Sequence, residues 1–472
     1  MSDIHYWSVA ETSVRLRRRD VSVAEVTAAH LVRMEAVNPA INAITTPVAE
    51  AMDVAHALDR DGPPADAGPL WGVPVTTKIN VDQTGYPNSN GVLAQAGAIA
   101  AGDSPVVANF KKGGAVIIGR TSTPEFSMRW FTSNPIHGVT LNPWDKLLTP
   151  GGSSGAAAAA VACGIGAVAH GNDLGGSLRY PAYCCGVATI RPSMGRIPAM
   201  NPTQSAAGIE RGPMTQMMAV QGPIARSIAD VRAALSVMSM PDARDPLWVA
   251  APPSRRNAAG AVKVGVAMNP FDGLLDTAVE AAMTRAIDGL RAAGMTEQEV
   301  APPQAADLPA LWGKLMFTET ESLLRKTIEA TGSPEMQSYY RAFVGLFEPT
   351  DTEGLLRALQ ARVVAQRAWA QMFEQIDILL LPTSLSRPFA NDLDFRAPDQ
   401  LPRIVSAQAP LFAVNVLGLP AAALPTHLDG DTPLGVQLIG PMHEDSFVLD
   451  VAARLEGELG MIWAVLAEKI VH

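Results

Sequence analysis

Thr149-Pro150-Gly151-Gly152-Ser153-Ser154-Gly155, an alanine-rich run to Ala162, and then Gly171-Asn172-Asp173-Leu174-Gly175-Gly176-Ser177-Leu178-Arg179 form the most unusual stretch of this 472-residue chain. Two glycine-serine turns bracket one helix and one strand. Glycine permits positive φ and close backbone approach, so the amides of Leu174, Gly175, Gly176 and Ser177 can converge on an oxyanion while Ser177 presents a hydroxyl. The same residues also read as ordinary turns that cap helices. A third reading treats Gly151 to Gly155 as G-x-S-x-G, the nucleophile elbow of α/β-hydrolases, with Ser153 as nucleophile of a Ser-His-Asp esterase. That elbow needs a strand directly before it, whereas Asn142-Pro143-Trp144-Asp145 and Thr149-Pro150 read as turn.

A serine nucleophile needs a base. His170 lies just upstream of the second turn, and His137, His427 and His443 lie in no recognisable triad motif, so each reads as a packing or surface residue. Lys78 closes the apolar run Trp71-Gly72-Val73-Pro74-Val75-Thr76-Thr77-Lys78. At the end of a buried strand its ammonium would be desolvated, which lowers the pKa and makes the free amine a usable base. Taken alone, such a lysine is equally a surface charge.

Outward from these motifs, short apolar runs alternate with longer amphipathic segments. Val116 to Gly119, Val262 to Val266, Ile376 to Leu381 and Gly435 to Ile439 read as buried strands; 225–239, 276–293 and 353–375 read as helices. The alternation predicts an α/β sheet covered by helices on both faces. Ser8 with Glu11 and Ser22 with Glu25 fit capping boxes that start two N-terminal helices. In the second, Val23, Ala24, Ala28, Leu31 and Met34 share one face, and Asn38-Pro39 is expected to end the helix. At about 150 residues per domain the length suggests three domains. The absence of repeats or a clear linker favours one domain over 1–472 instead. Its parts are a helical arm at 1–60, a core with the motifs at 66–240, and a helical insertion with the remaining strands at 241–472.

Composition removes several function classes. Lys plus Arg number 36 against 46 Asp plus Glu, a net charge of −10, and the longest basic run is Arg17-Arg18-Arg19. This argues against a nucleic-acid partner and for a small-molecule one. Cys163, Cys184 and Cys185 lack disulfide or zinc-site spacing, so no metal is expected and a reducing cytoplasm fits best. Met1 to Trp7 carries no basic segment followed by an apolar core, and no stretch predicts a membrane span.

Taken with Gly119-Arg120-Thr121-Ser122-Thr123-Pro124-Glu125-Phe126, Pro181 to Gly186 and Gly222-Pro223-Ile224-Ala225-Arg226-Ser227, the two glycine-serine motifs and Gly72-Val73-Pro74 to Lys78 resemble the amidase signature family. The resemblance extends over roughly 8–460, including Gly418-Leu419-Pro420 and Gly435-Val436-Gln437. Lys78 to Ser153 is 75 residues and Ser153 to Ser177 is 24, as the family's Lys, cis-Ser, Ser triad leads one to expect. It implies an α/β amidase signature fold with a large mixed twisted sheet. It also implies Ser177 as nucleophile, Ser153 after a cis peptide as proton relay, Lys78 as base and Ser154 as a supporting hydroxyl, without a cofactor. Asp173 and Arg179 are read as an ion pair that tightens the turn. Ala156 and Asn172 depart from the usual Gly and Thr or Ser without removing a catalytic atom. Tyr180 replaces the glutamine usual in the family's glutamyl-tRNA amidotransferase branch, which argues against that branch.

Specificity must come from surrounding loops. Met128, Trp130, Phe131, Tyr180 and Met194 are the candidate pocket residues, with Phe126, Met200, Met214, Met217 and Met218 in the same segments. Soft side chains suit an adaptable apolar pocket or equally a packed core. The expected activity is hydrolysis of neutral apolar amides, with carbamates (a urethanase activity) and esters as further substrates, by a monomer or homodimer. The alternatives are the Ser-His-Asp esterase and a non-catalytic or partner-dependent subunit of amidotransferase type.

Overall fold

A computed structural model of the chain describes residues 4–252 and 254–470; Met1–Asp3 of the N-terminal stretch lie outside them. Thirteen strands occur among the described residues. In the first half they are β1 (Ile44–Pro47), β2 (Pro74–Lys78), β3 (Val116–Thr121), β4 (Ser133–Asn134), β5 (Gly138–Val139), β6 (Val168–Asp173) and β7 (Ala188–Arg191). In the second they are β8 (Val220–Ala225), β9 (Lys263–Val266), β10 (Thr296–Glu299), β11 (Ile378–Pro382), β12 (Ala421–Asp429) and β13 (Thr432–Ile439). β4 and β5 form a small separate pair, and the other eleven form one sheet in the order β1-β3-β2-β6-β8-β7-β12-β13-β11-β9-β10.

The sheet is mixed. Parallel pairing joins β3, β2 and β6 on one side and β11, β9 and β10 on the other, and antiparallel pairing fills the middle. Side chains alternate faces along a strand, so β11 divides its four apolar residues: Ile378 and Leu380 enter one hydrophobic core, Leu379 and Leu381 the other. All four are fully buried, so helices cover both faces of the sheet, as the apolar runs predict. The expected helices are present at Ile228–Met238, Thr277–Ala292 and Thr352–Met372.

The N-terminal arm packs onto the first core, with two differences from the sequence reading. The helix Val23–Ile41 starts at a complete Ser22/Glu25 capping box, whereas Ser8 caps Val9–Arg18 without a return bond from Glu11, whose carboxylate takes Arg15 instead. The second helix also runs past Pro39 to Ile41, so Asn38-Pro39 does not end it. Proline here falls in the last turn, where it interrupts little, and Asn38 uses its carboxamide to receive the amides of Ala43 and Ile44. The buried stripe is Val23, Val26, Thr27, His30, Met34, Val37 and Ile41, rotated from the predicted face because it includes two polar residues that a hydropathy wheel leaves out.

His30 is one of those residues. Its Nδ1 receives the Gly166 amide at 3.1 Å and lies 3.0 Å from the Gly164 carbonyl, which ties the arm to the turn before β6. Burial holds its pKa down at about 3, and His170 is held at about 3 for the same reason. A histidine buried neutral contributes stability that is complete above its unfolded pKa and is lost as pH falls from there toward the folded value. We expect the thermal midpoint to fall as pH drops below about 6.5, and His30→Gln to flatten that slope. Scanning calorimetry from pH 7.5 to 5 checks this.

Candidate active site

β2 and β6 are parallel neighbours, so the C-terminal ends of both lie at one edge of the sheet. Lys78 closes β2, and Asn172 and Asp173 close β6. Lys78 is fully buried, and its Nζ lies 2.7 Å from Ser153 Oγ, 2.8 Å from Asn172 Oδ1 and 3.1 Å from Ser154 Oγ. Burial pushes the amine well below its ordinary pKa, and the Asp173 carboxylate opposes this only in part. His170 Nδ1 accepts the Lys78 backbone amide at 3.3 Å and its Nε2 faces Gln221 Oε1 at 2.7 Å, so both ring nitrogens are engaged away from any serine.

Ser153 and Ser154 arrive on the segment before the helix Gly155–Ala162. Among the described residues no strand leads directly into Gly151, so the elbow geometry is absent. The Gly152–Ser153 peptide is cis. A Cβ on Gly152 would stand 2.5 Å from the Arg129 carbonyl and the Phe131 amide nitrogen, so only glycine fits there. Thr132 Oγ1 holds the Gly151 carbonyl at 2.8 Å, and Thr123 Oγ1 holds that of Ser153 at 3.1 Å.

The 174–178 turn is organised by a buried ion pair. Arg179 Nε donates to Asp173 Oδ2 at 3.0 Å and its Nη2 to Oδ1 at 3.1 Å, with both side chains fully enclosed. Burial alone would raise the Asp173 pKa, but Arg179 beside it holds the carboxyl well below the usual range. Asn415 joins both partners, donating to Asp173 Oδ1 at 2.8 Å and accepting from Arg179 at 2.7 Å, and Gln437 accepts from Arg179 at 2.9 Å.

This arrangement corrects one expectation. The Gly176 amide donates to Asp173 Oδ1 at 2.8 Å, so in this structure it is not available to an oxyanion. The amides of Leu174, Gly175 and Ser177 make no hydrogen bond within the described residues. The carbonyls on the other side of this turn are anchored by indoles: Trp312 Nε1 donates to Leu174 O and Trp130 Nε1 to Gly175 O, each at 2.8 Å. The Ser177 hydroxyl has no hydrogen-bond partner among the described residues, and 9% of the residue is accessible, so it is not paired with Ser153 here.

The pocket candidates divide. Met128 and Met194 are half-buried, and Trp130 sits against the turn. Phe131 and Tyr180 are fully enclosed in the second core, with no surface open to a water-sized molecule, so they stand behind the site and do not line it. Tyr180 stacks on Tyr183 there. Sequence reasoning missed Trp312, which stacks on Phe412 at 4.2 Å between centroids beside the turn, and also Asn80, Ser127 and Asn415. Gln437 was visible only as part of Gly435-Val436-Gln437. The others carry no local signal, because each meets its partner only through the tertiary fold.

Known proteins resemble this chain over most of its length. A family model described as Amidase matches residues 25–449. The chain is 43% identical over 459 residues to an indoleacetamide hydrolase of Bradyrhizobium diazoefficiens, covering 97% of this chain and 87% of that one. It is 29% identical to a glutamyl-tRNA(Gln) amidotransferase component of Methylococcus capsulatus, covering 96% and 97%. A bacterial aryl acylamidase structure shares the fold with a TM-score of 0.84 at 24% identity, and a 6-aminohexanoate cyclic dimer hydrolase with 0.81 at 26%, each covering 99% of both chains.

Two substitutions separate what holds the turn. Arg179→Met leaves the Asp173 carboxylate buried and unpaired and is expected to cost about 3–5 kcal/mol. Trp312→Phe keeps an aromatic ring but removes the N–H donor to a carbonyl and the second ring of a buried indole, an expected cost of about 1–3 kcal/mol. Urea denaturation of both variants gives the ranking; the reverse order would mean that the indoles dominate.

Proposed function

The chain belongs to the amidase family and is a hydrolase of amides, and on that premise we propose that it cleaves the C–N bond of small, neutral, apolar amides, arylacetamides among them, through Ser177, Ser153 and Lys78. The observation that carries the reading is the buried Lys78 amine 2.7 Å from Ser153 Oγ, in surroundings that favour its neutral form. Ser177 and three unpaired amides belong to the turn after β6, the strand whose end brings Asn172 to Lys78.

In this mechanism Ser177 Oγ attacks the carbonyl carbon as its proton passes to Ser153 and the Ser153 proton passes to Lys78. The amides of Leu174, Gly175 and Ser177 receive the oxyanion. Collapse breaks the C–N bond; Ser153 gives its proton to the leaving nitrogen and is reprotonated by Lys78. Water then attacks the acyl-enzyme along the same relay, releasing the carboxylic acid and restoring Ser177. The Arg179–Asp173 pair takes no proton, and Ser154 supports Lys78.

The setting on the acyl side is apolar and aromatic. Trp130, Trp312, Phe343 and Phe412 form edge and stacked contacts around the turn, and half-buried Leu174, Met128 and Met217 pack against the same cluster. The indoleacetamide hydrolase relative supports the same substrate class. A carbamate presents the same carbonyl to the same groups, and the carbamic acid it yields loses carbon dioxide, so urethanes and esters are included in the proposal. The Ser-His-Asp alternative finds no support, since Ser153 faces a lysine and both nitrogens of His170 are engaged.

The test uses indole-3-acetamide with a matched carbamate and ester, on purified wild type, Ser177→Ala and Lys78→Ala. We expect the wild type to turn over the amide without a partner and each variant to lose at least about 1000-fold in kcat/KM. Amide turnover surviving in Ser177→Ala overturns the nucleophile, and survival in Lys78→Ala overturns the base. Carbamate turnover at or above the amide rate would make the chain a urethanase as well.

A further inference from the structure

Resting on that role for Lys78, we propose that Asn172, oriented through Asn80 and Ser127, is a positioning residue that aims the Lys78 lone pair at Ser153. A neutral amine has two hydrogens and one lone pair, and Lys78 Nζ has three oxygen neighbours. Asn172 Oδ1 can only accept, so it takes one hydrogen. The Ser154 hydroxyl is directed at the Asn172 carbonyl at 3.4 Å, which leaves its oxygen to accept the second. The lone pair then faces Ser153, the group whose proton it must receive.

This depends on which end of the Asn172 carboxamide faces the amine. The two ends are alike in shape and opposite in chemistry, and a flipped Asn172 would donate Nδ2–H into the lone pair and disable the base. A one-way chain opposes the flip, because reversing Asn172 requires Asn80, Ser127 and Asn90 to reverse with it. Asn172 Nδ2 donates to Asn80 Oδ1 at 3.0 Å, Asn80 Nδ2 to Ser127 Oγ at 2.9 Å, and Ser127 Oγ to Asn90 Oδ1 at 2.7 Å. Ser127 Oγ also lies 3.0 Å from Thr123 Oγ1, but with the Ser127 hydrogen given to Asn90 and the Thr123 hydrogen to the Ser153 carbonyl at 3.1 Å, that contact is not a link of the chain.

The anchor of the chain is held in an uncommon conformation. Phe126 and Ser127 both have φ of 56°, in the left-handed region that non-glycine residues rarely occupy. Surrounding bonds over-determine it: Glu125 receives the Ser333 amide at 2.8 Å and hydroxyl at 2.6 Å, and the Phe126 amide donates to Asn90 O at 3.0 Å. Strained backbone fixed in this way is a mark of functional sites.

The charged and titratable groups around Lys78 are Asp173, Arg120, whose Nη2 faces the Lys78 carbonyl at 3.4 Å, and His170 at its amide. None touches the carboxamide of Asn172, so substitutions there report on the amine directly. Asn172→Asp places an anion beside the amine and stabilises the ammonium. Its acid limb in kcat against pH should move up by about one unit or more, with activity recovering at alkaline pH. Asn172→Leu removes the acceptor; kcat should fall at least about 10-fold with KM within about 3-fold, and the limb should move down. A threonine hydroxyl rotates freely and needs no orienting chain. Ser127→Ala should therefore cost about 3- to 10-fold in kcat with Asn172 present, and under about 2-fold in an Asn172→Thr background.

The experiment measures pH profiles of indole-3-acetamide hydrolysis for the full chain, with thermal midpoints recorded for every variant. Should Asn172→Leu fail to fold, the near-isosteric Asn172→Asp and the Ser127 cycle decide. An unmoved acid limb in Asn172→Asp, or an equal Ser127→Ala loss in both backgrounds, overturns the inference. If that happens while Lys78→Ala and Ser177→Ala are inactive, the triad reading stands alone; if either of those retains activity, both fall.

Discussion

Two charges with no access to water, Asp173 and Arg179, shape the turn at 174–178. A lone carboxylate in that position would be strongly disfavoured, so the pair exists only because guanidinium, Asn415 and Gln437 together satisfy it. Its oxygens also gather the amides of Gly176 and Leu178, which bends the chain sharply after β6. The bend turns the amides of Leu174, Gly175 and Ser177 away from the pair and leaves them unpaired. The glycines permit the bend, the ion pair enforces it, and the indoles of Trp130 and Trp312 anchor the carbonyls of Gly175 and Leu174.

The same burial acts in opposite directions on neighbouring groups. Asp173 keeps its charge because a cation touches it. Lys78 sees that carboxylate without an ion-pair contact, so desolvation wins and the neutral amine is favoured. A direct Lys78–Asp173 bridge would hold the ammonium. Keeping the aspartate occupied by Arg179 thus leaves the neutral form of Lys78 favoured, the form the proposed mechanism requires.

Much of this was legible in the chain because it is local. The Ser22/Glu25 box, the apolar runs and the two glycine-serine motifs each depend on neighbours a few residues apart, and Lys78 reads as the end of a buried strand for the same reason. What was missed is long-range or nearly symmetric. Trp312 reaches Leu174 across 138 residues and Arg179 reaches Asn415 across 236. Phe131 and Tyr180 look like pocket residues because aromatic side chains serve core and pocket alike, and only the fold places them behind the wall. Gly176 belongs to an amide series that sequence treats as uniform, whereas the bend assigns its N–H to Asp173.

The carboxamide at 172, where the resemblance leads one to expect a hydroxyl, illustrates how one side-chain choice propagates. A serine or threonine beside the amine can donate or accept by rotating one bond, so it adapts to whichever protonation state the relay passes through. A carboxamide has fixed ends and a slower choice between them; it serves the amine only when something else decides its orientation. Asn80, Ser127 and Asn90 supply that decision, and the left-handed turn at Phe126 and Ser127 holds Ser127 where Asn80 can reach it. Asn172 and the polar chain that orients it therefore act as one unit.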